Sequence, residues 1–171
     1  MNEQVIATQD APSPEPAKPQ APPILLLRLV VLCVIALAVM AGMDRIHLAK
    51  GDSVPNTLYW SMPGQRPVLG SFVTLSVSHP IIGEKPAALT KMVACDEGMT
   101  VRLVDHAFYC DDKRLGGYLT QTWDGKPLTL WPGGVVPKGE AFLMGTHPRS
   151  FDSRYFGPKP KDSMIVVRGL L

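Results

Sequence analysis

The chain is 171 residues long and carries 17 Lys+Arg against 15 Asp+Glu, a formal charge of +2. That length suits one compact domain with appendages. So even a balance excludes a non-sequence-specific nucleic-acid binder, which needs a basic stripe. The 3 cysteines are too few for a disulfide-dense miniature scaffold or a four-cysteine zinc site. Hydrophobic residues make up 46% of the chain, and their excess is concentrated in one stretch near the start.

Residues 1–23 contain Pro12, Pro14, Pro16, Pro19, Pro22 and Pro23, with no aromatic residue and no apolar period. They read as a disordered tail, partly polyproline II, with an SH3-type ligand as the alternative. Residues 24–43 are apolar apart from Arg28. About 20 apolar residues span a bilayer as a helix, and Arg28 lies close enough to the end to snorkel to the headgroups. The alternative is a long signal peptide. Against it, the apolar run exceeds the usual length and no clear Ala-x-Ala site follows. Lys18 and Arg28 on one side and Arg45 and Lys50 on the other leave the orientation open.

Residues 44–171 suffice for one small core. Short β-rich runs bounded by Gly, Pro, Asp or Asn predict strands at Thr57–Ser61, Ser71–Ser78, Lys91–Cys95, Thr100–Leu103, Ala107–Cys110, Leu128–Trp131, Ala141–Met144 and Met164–Arg168. No helical period of useful length is present. The pattern predicts a mainly β domain, a mostly antiparallel sheet or partly open barrel, behind one N-terminal transmembrane helix. Cys95 and Cys110 stand at the ends of an apparent hairpin. Outside the cytoplasm they would close a disulfide loop worth roughly 3 kcal/mol; the alternative is two buried thiols. Cys33, inside the apolar run, reads as inert.

Four segments carry the chemistry: Ser53-Val54-Pro55-Asn56-Thr57-Leu58-Tyr59-Trp60, Lys91-Met92-Val93-Ala94, Gly139-Glu140-Ala141-Phe142-Leu143-Met144-Gly145, and Ser150-Phe151-Asp152-Ser153-Arg154-Tyr155-Phe156-Gly157-Pro158. In this order behind one span they resemble the signal peptidase I family of serine-lysine peptidases. Its conjugative-transfer branch of TraF-type pilin maturation peptidases is the nearer match. The resemblance covers nearly all of residues 24–171 and leaves out the proline-rich tail. It implies a signal-peptidase-like antiparallel β catalytic domain.

It also implies Ser53 as nucleophile, Lys91 as general base, Ser150 as the hydroxyl that orients the lysine amine, and Asp152 with Arg154 as a site-shaping ion pair. The chemistry suits these residue types. A serine hydroxyl needs a base to become a nucleophile, and a lysine of ordinary pKa about 10.4 must be buried and desolvated to serve near pH 8. The apolar run after Lys91 is expected to bury its stem. Two positions depart from the family's habit: Met92 stands where arginine often follows the lysine, and Gly51 stands where a hydroxyl residue often helps to form the oxyanion hole. The Ser53 N–H then has to be joined by a second donor from elsewhere, and losing one such donor costs about 10²–10³ in rate.

Ser61-Met62-Pro63, near Gly70-Ser71-Phe72-Val73, resembles the nucleophile region of housekeeping leader peptidases and competes with Ser53. Ser53 is preferred because Leu58-Tyr59-Trp60 follows it and because it lies nearer the apolar span. His47, His79, His106 and His147 lack metal-ligand spacing, with His147 read as a loop residue near the site. Asp96-Glu97 and Asp111-Asp112 read as solvated turn charges, and Trp123 and Trp131 as core or interfacial aromatics. No phosphate-binding glycine loop is present, and neither metal nor organic cofactor is expected.

The resemblance implies a single-pass protein of the bacterial inner membrane with the disordered proline-rich tail, residues 1–23, in the cytoplasm and residues 44–171 in the periplasm. Its substrate would be a propilin or related exported precursor that adds a strand to a sheet edge. Other conjugation-system proteins are expected partners, and nucleic acid is not. The acyl-enzyme would be released by water, or by an amine of the same pilin to give a circular subunit. The alternatives are a general leader peptidase and a catalytically silent assembly scaffold.

Overall fold

The computed structural model describes residues 23–49 and 53–170. The tail at 1–22 and the Gly51 position lie outside the described residues. The chain divides between Met40 and Ala41 into a helical unit and a β unit.

Helix α1 runs Pro23–Met43, 21 residues with none buried. Pro23 opens it, so the tail's last proline belongs to the helix. At the first helical position the missing proline N–H costs nothing, and the ring fixes a helical φ. At about 1.5 Å per residue the helix is roughly 31 Å long, which matches a bilayer's hydrocarbon thickness. It is the one helix among the described residues long and apolar enough to cross a membrane.

The β unit contains β1 (Ile46–Leu48), β2 (Leu58–Ser61), β3 (Phe72–His79), β4 (Gly83–Asp96), β5 (Thr100–Val104), β6 (Ala107–Cys110), β7 (Lys113–Gly117), β8 (Gly134–Val135), β9 (Glu140–Met144), β10 (Lys159–Pro160) and β11 (Met164–Gly169). The short helix α2 spans Ser153–Phe156. The strands form a seven-stranded sheet, β1-β2-β11-β3-β4-β9-β10, and a four-stranded sheet, β7-β6-β5-β8. Every pairing is antiparallel. The mainly antiparallel β class read from the sequence is therefore the observed one.

Side chains alternate across a strand, and β3 shows it: Val73, Leu75 and Val77 are buried while Thr74 and Ser76 are not. They join Val93, Ala141, Leu143, Met164 and Val166 in one core. A second core holds Cys95, Val101, Phe108, Cys110, Val136, Phe142 and Met144. Strand β9 belongs to both. Ala141 and Leu143 enter the first core, Phe142 and Met144 the second, and all four are buried. A strand covered on both faces reads as a continuous apolar run.

Several boundaries differ from the sequence reading. Strand β4 is 14 residues long, far beyond Lys91–Cys95, because Gly83 and Pro86 do not break it. Pro86 stands where the β3–β4 register shifts, and a missing N–H is tolerated at an irregular or edge position. Leu128–Trp131 is not a strand. Its backbone N–H groups go to loops, Leu128 to the Thr120 carbonyl and Trp131 to the Arg154 carbonyl, and the Trp131 ring packs on Phe142 with centroids 5.5 Å apart. Strand β7 was hidden by its two charges and two glycines, and β1, β8 and β10 by their length.

The Cys95–Cys110 disulfide is formed, with Cα atoms 5.6 Å apart. The apparent hairpin is not what it closes. Cys95 is the last residue but one of β4 in the large sheet and Cys110 ends β6 of the small one, so the bond ties the two sheets across the second core.

Candidate active site

Lys91 lies on β4 opposite Val73 of β3 and is only 3% exposed. Its Nζ donates to Ser150 Oγ at 2.7 Å. Burial pushes its pKa down from the usual 10.5 to about 8; the Asp152 charge opposes the shift and the Arg154 charge adds to it. The expectation that Met92-Val93-Ala94 buries the stem needs refinement. Alternation places Val93 on the Lys91 face and Met92 on the other. Fully buried Val73 and Val93 flank the stem, while Met92 lines a separate groove.

Ser53 precedes a turn anchored at both ends. Val54 packs with Tyr59 and Val167 in a small third core, and the Asn56 N–H donates to Tyr59 Oη at 3.3 Å. Gly169 permits this turn, since a Cβ there would overlap the Asn56 side chain. The Leu-Tyr-Trp run after the serine thus works through buried Tyr59. The Ser53 carbonyl accepts the Thr146 N–H at 2.8 Å.

Ser53 and Lys91 line the same cavity, about 390 Å³, with Thr90 and Leu48 among its other walls. Ser61 is buried in β2 opposite Val167 and is not among the described residues on that wall.

Asp152 and Arg154 form a buried ion pair, 0% and 1% exposed. Arg154 Nε meets Asp152 Oδ1 at 2.8 Å and Nη2 meets Oδ2 at 2.8 Å. The remaining guanidinium hydrogens go to the carbonyls of Ser150 (2.9 Å), Pro148 (3.2 Å) and Gly117. All five donors are used, the condition under which a buried pair tolerates its desolvation. Asp152 also caps α2 by accepting the Arg154 N–H, and it accepts the Gly145 N–H at 2.9 Å.

Gly145 closes the Gly139–Gly145 segment and sits where the Ser53 and Ser150 segments meet. A Cβ there would overlap the Ser150 side chain and stand 2.9 Å from the Ser53 carbonyl. Glycine lets the Ser53, Ser150 and Asp152 segments converge. The sequence signal was present: an apolar strand ending in glycine just before the Ser150 segment.

Other residues fall outside this constellation. His147 Nδ1 accepts the Arg149 N–H at 3.1 Å, a loop role as expected. Asp96 and Glu97 are not simply solvated: Lys161 Nζ lies 2.6 Å and 3.2 Å from their carboxylates, and Glu97 takes the Gly139 N–H. Asp111 accepts the Thr100 N–H and Asp112 pairs with Arg102 at 3.1 Å. Trp123 is 94% exposed, whereas Trp131 joins the second core. Among the described residues no group of three or more His, Cys, Asp or Glu side chains could hold a metal ion.

A family described as signal peptidase, peptidase S26, matches residues 24–168. The chain is 37% identical over 83 residues to the conjugal transfer protein TraF of Agrobacterium tumefaciens (strain 15955), a match covering 47% of each protein. It is 33% identical over 81 residues to the protein of the same name from Agrobacterium fabrum (strain C58), covering 46% of each. The chain thus spans about half the length of these relatives. A crystal structure of a signal peptidase I from Enterococcus faecalis V583 is 23% identical, aligning with 63% of this chain and 99% of that one at a TM-score of 0.37. With the family match running from α1 into β11 and taking in Ser53, Lys91, Ser150, Asp152 and Arg154, the chain belongs to the signal peptidase family, peptidase S26.

Proposed function

We propose that this protein is a serine endopeptidase with a Ser53–Lys91 dyad that processes an exported precursor of a conjugation system, a propilin in the first instance. The observation that carries this reading is a buried Lys91 amine, near pKa 8 and held by Ser150, in the same cavity as Ser53. The family supports the peptidase class, and the conjugal transfer relatives support the setting.

Lys91 acts in its neutral form. As Ser53 Oγ attacks the scissile carbonyl, its proton passes to Lys91 Nζ. The tetrahedral intermediate collapses to an ester on Ser53, and the lysine proton goes to the departing amine. A water molecule then attacks the ester, giving its proton to Lys91. Collapse returns that proton to Ser53 Oγ and releases the carboxylate product. Ser150 acts as a positioning residue on Nζ, while Arg154, itself paired with Asp152, holds the Ser150 carbonyl.

The precursor adds as a strand along β4. From Ala87 to Lys91 that strand is paired with β3, and among the described residues β9 pairs with it only from Met92 to Asp96. The free edge therefore ends at the dyad lysine. Helix α1 acts as the membrane anchor, and the buried Cys95–Cys110 bond supports a domain in an oxidising compartment, the periplasm.

The test is precursor processing in cells carrying Ser53→Ala, Lys91→Ala or Ser61→Ala. The first two block processing and the third leaves it largely intact. Loss with Ser61→Ala alone reverses the nucleophile assignment.

A further inference from the structure

A second groove, about 240 Å³, opens where the free edge of β4 ends. Its floor and walls include Met92, Met144, Gly145 and Thr146, and its rim carries Lys113 and Arg114 of β7. It adjoins the dyad cavity through the backbone. Lys91 and Met92 are consecutive, and Thr146 donates its N–H to the Ser53 carbonyl. A strand added along Ala87–Lys91 cannot run straight on, because β9 occupies the edge from Met92. It must leave the edge at the dyad, and this groove lies there.

Both rim cations are exposed, and among the described residues neither is in an ion pair; the basic groups that are so paired are Arg102, Lys126, Arg154 and Lys161. Two unspent positive charges over a methionine-lined floor match a peptide with an acidic side chain beside an apolar one. Met side chains adapt to varied apolar partners.

We propose that this groove is a specificity subsite for the part of the precursor across the scissile bond from the β4-paired stretch, and that Lys113 and Arg114 select acidic side chains there. The proposal rests on the Ser53–Lys91 reading above.

The test incubates the full chain in detergent micelles with a synthetic peptide mixture in which Asp, Glu, Lys and neutral residues are equally represented at each position. Cut sites are read by mass spectrometry for the wild type, for Ser53→Ala and for the double variant Lys113→Glu with Arg114→Glu. Wild-type cuts are expected to show Asp or Glu enriched about threefold to tenfold within a few residues on one side of the cut only, the scale of rim charge pairs. The double variant should exchange that preference for Lys. Ser53-dependent cuts without acidic enrichment, or enrichment unmoved by charge reversal, overturn the subsite and leave the dyad standing. Absence of Ser53-dependent cuts overturns the dyad reading itself. Thermal unfolding of the double variant, expected within a few degrees of the wild type, shows that a changed preference is not misfolding.

Discussion

Lys91 Nζ reaches Ser150 Oγ across 2.7 Å and 59 positions of sequence. The contact joins β4 to the loop before α2, and it is buried. A hydroxyl oxygen accepting from Nζ favours the charged amine, whereas burial disfavours it, and burial dominates, leaving the pKa near 8.

The acidic limb of kcat/KM should therefore rise with pH and reach half its plateau near pH 8, where Lys91 loses its proton. A limb centred near pH 10 would mean that the working amine is solvated.

Ser150→Ala removes that acceptor. Hydrogen bonds to charged groups contribute about 1.5–3 kcal/mol, so kcat/KM should fall about 10- to 10²-fold. The ammonium loses a partner, so the acidic limb should move to lower pH. A merely structural role for Ser150 would lower the plateau and leave the limb in place.

Lys91 also leaves a mark on stability. Its folded pKa, about 8, lies below the unfolded value, 10.5. Below pH 8 both states are protonated and the full cost of burying charge is present; it is relieved as pH rises from 8 towards 10.5. The gap corresponds to about 3 kcal/mol. Wild-type stability in urea titrations should therefore gain about that much over Lys91→Met across this window. Parallel profiles for the two proteins would refute the buried, depressed amine.

Asp152→Ala leaves the Arg154 guanidinium buried without its carboxylate and the Gly145 N–H without its acceptor. Breaking a buried pair costs about 3–5 kcal/mol. Denaturant unfolding should show a loss of that size, and Arg154→Lys, which cannot fill the same set of carbonyls, should show a large part of it.

Gly145→Ala tests the convergence point. Its Cβ would push apart the Ser150 side chain and the Ser53 carbonyl. Misplacing reactive groups by about 1 Å costs on the order of 10² in rate. Precursor processing should fall by about that factor, with kcat more affected than KM.

Much of this was legible in the residues. Leu, Ile and Val in one run announced α1, and alternation announced β3 and β11. The Ser150-Phe151-Asp152-Ser153-Arg154 segment singled out in the sequence holds both the buried Asp152–Arg154 ion pair and the hydroxyl that accepts from Lys91. What stayed hidden depends on pairing partners far apart in sequence. Nothing local says that Pro86 lies in a strand, that Cys95 and Cys110 belong to different sheets, or that Lys161 folds back onto Asp96 and Glu97. Gly145 was visible as a letter, but its role exists only once Ser53 and Ser150 are brought to either side of it.

Strand β9 is shared by both cores and ends one residue before Gly145. It works like an axle passing through two bearings: play in either one reaches the tip. Among the described residues the small sheet contributes none to the wall shared by Ser53 and Lys91, yet Phe108, its ring tilted against Phe142, steadies the far side of the same shaft. The placing of Ser53 and Lys91 on one wall is in this sense a property of the whole β unit, and wear far from the cleft is felt there as lost registration.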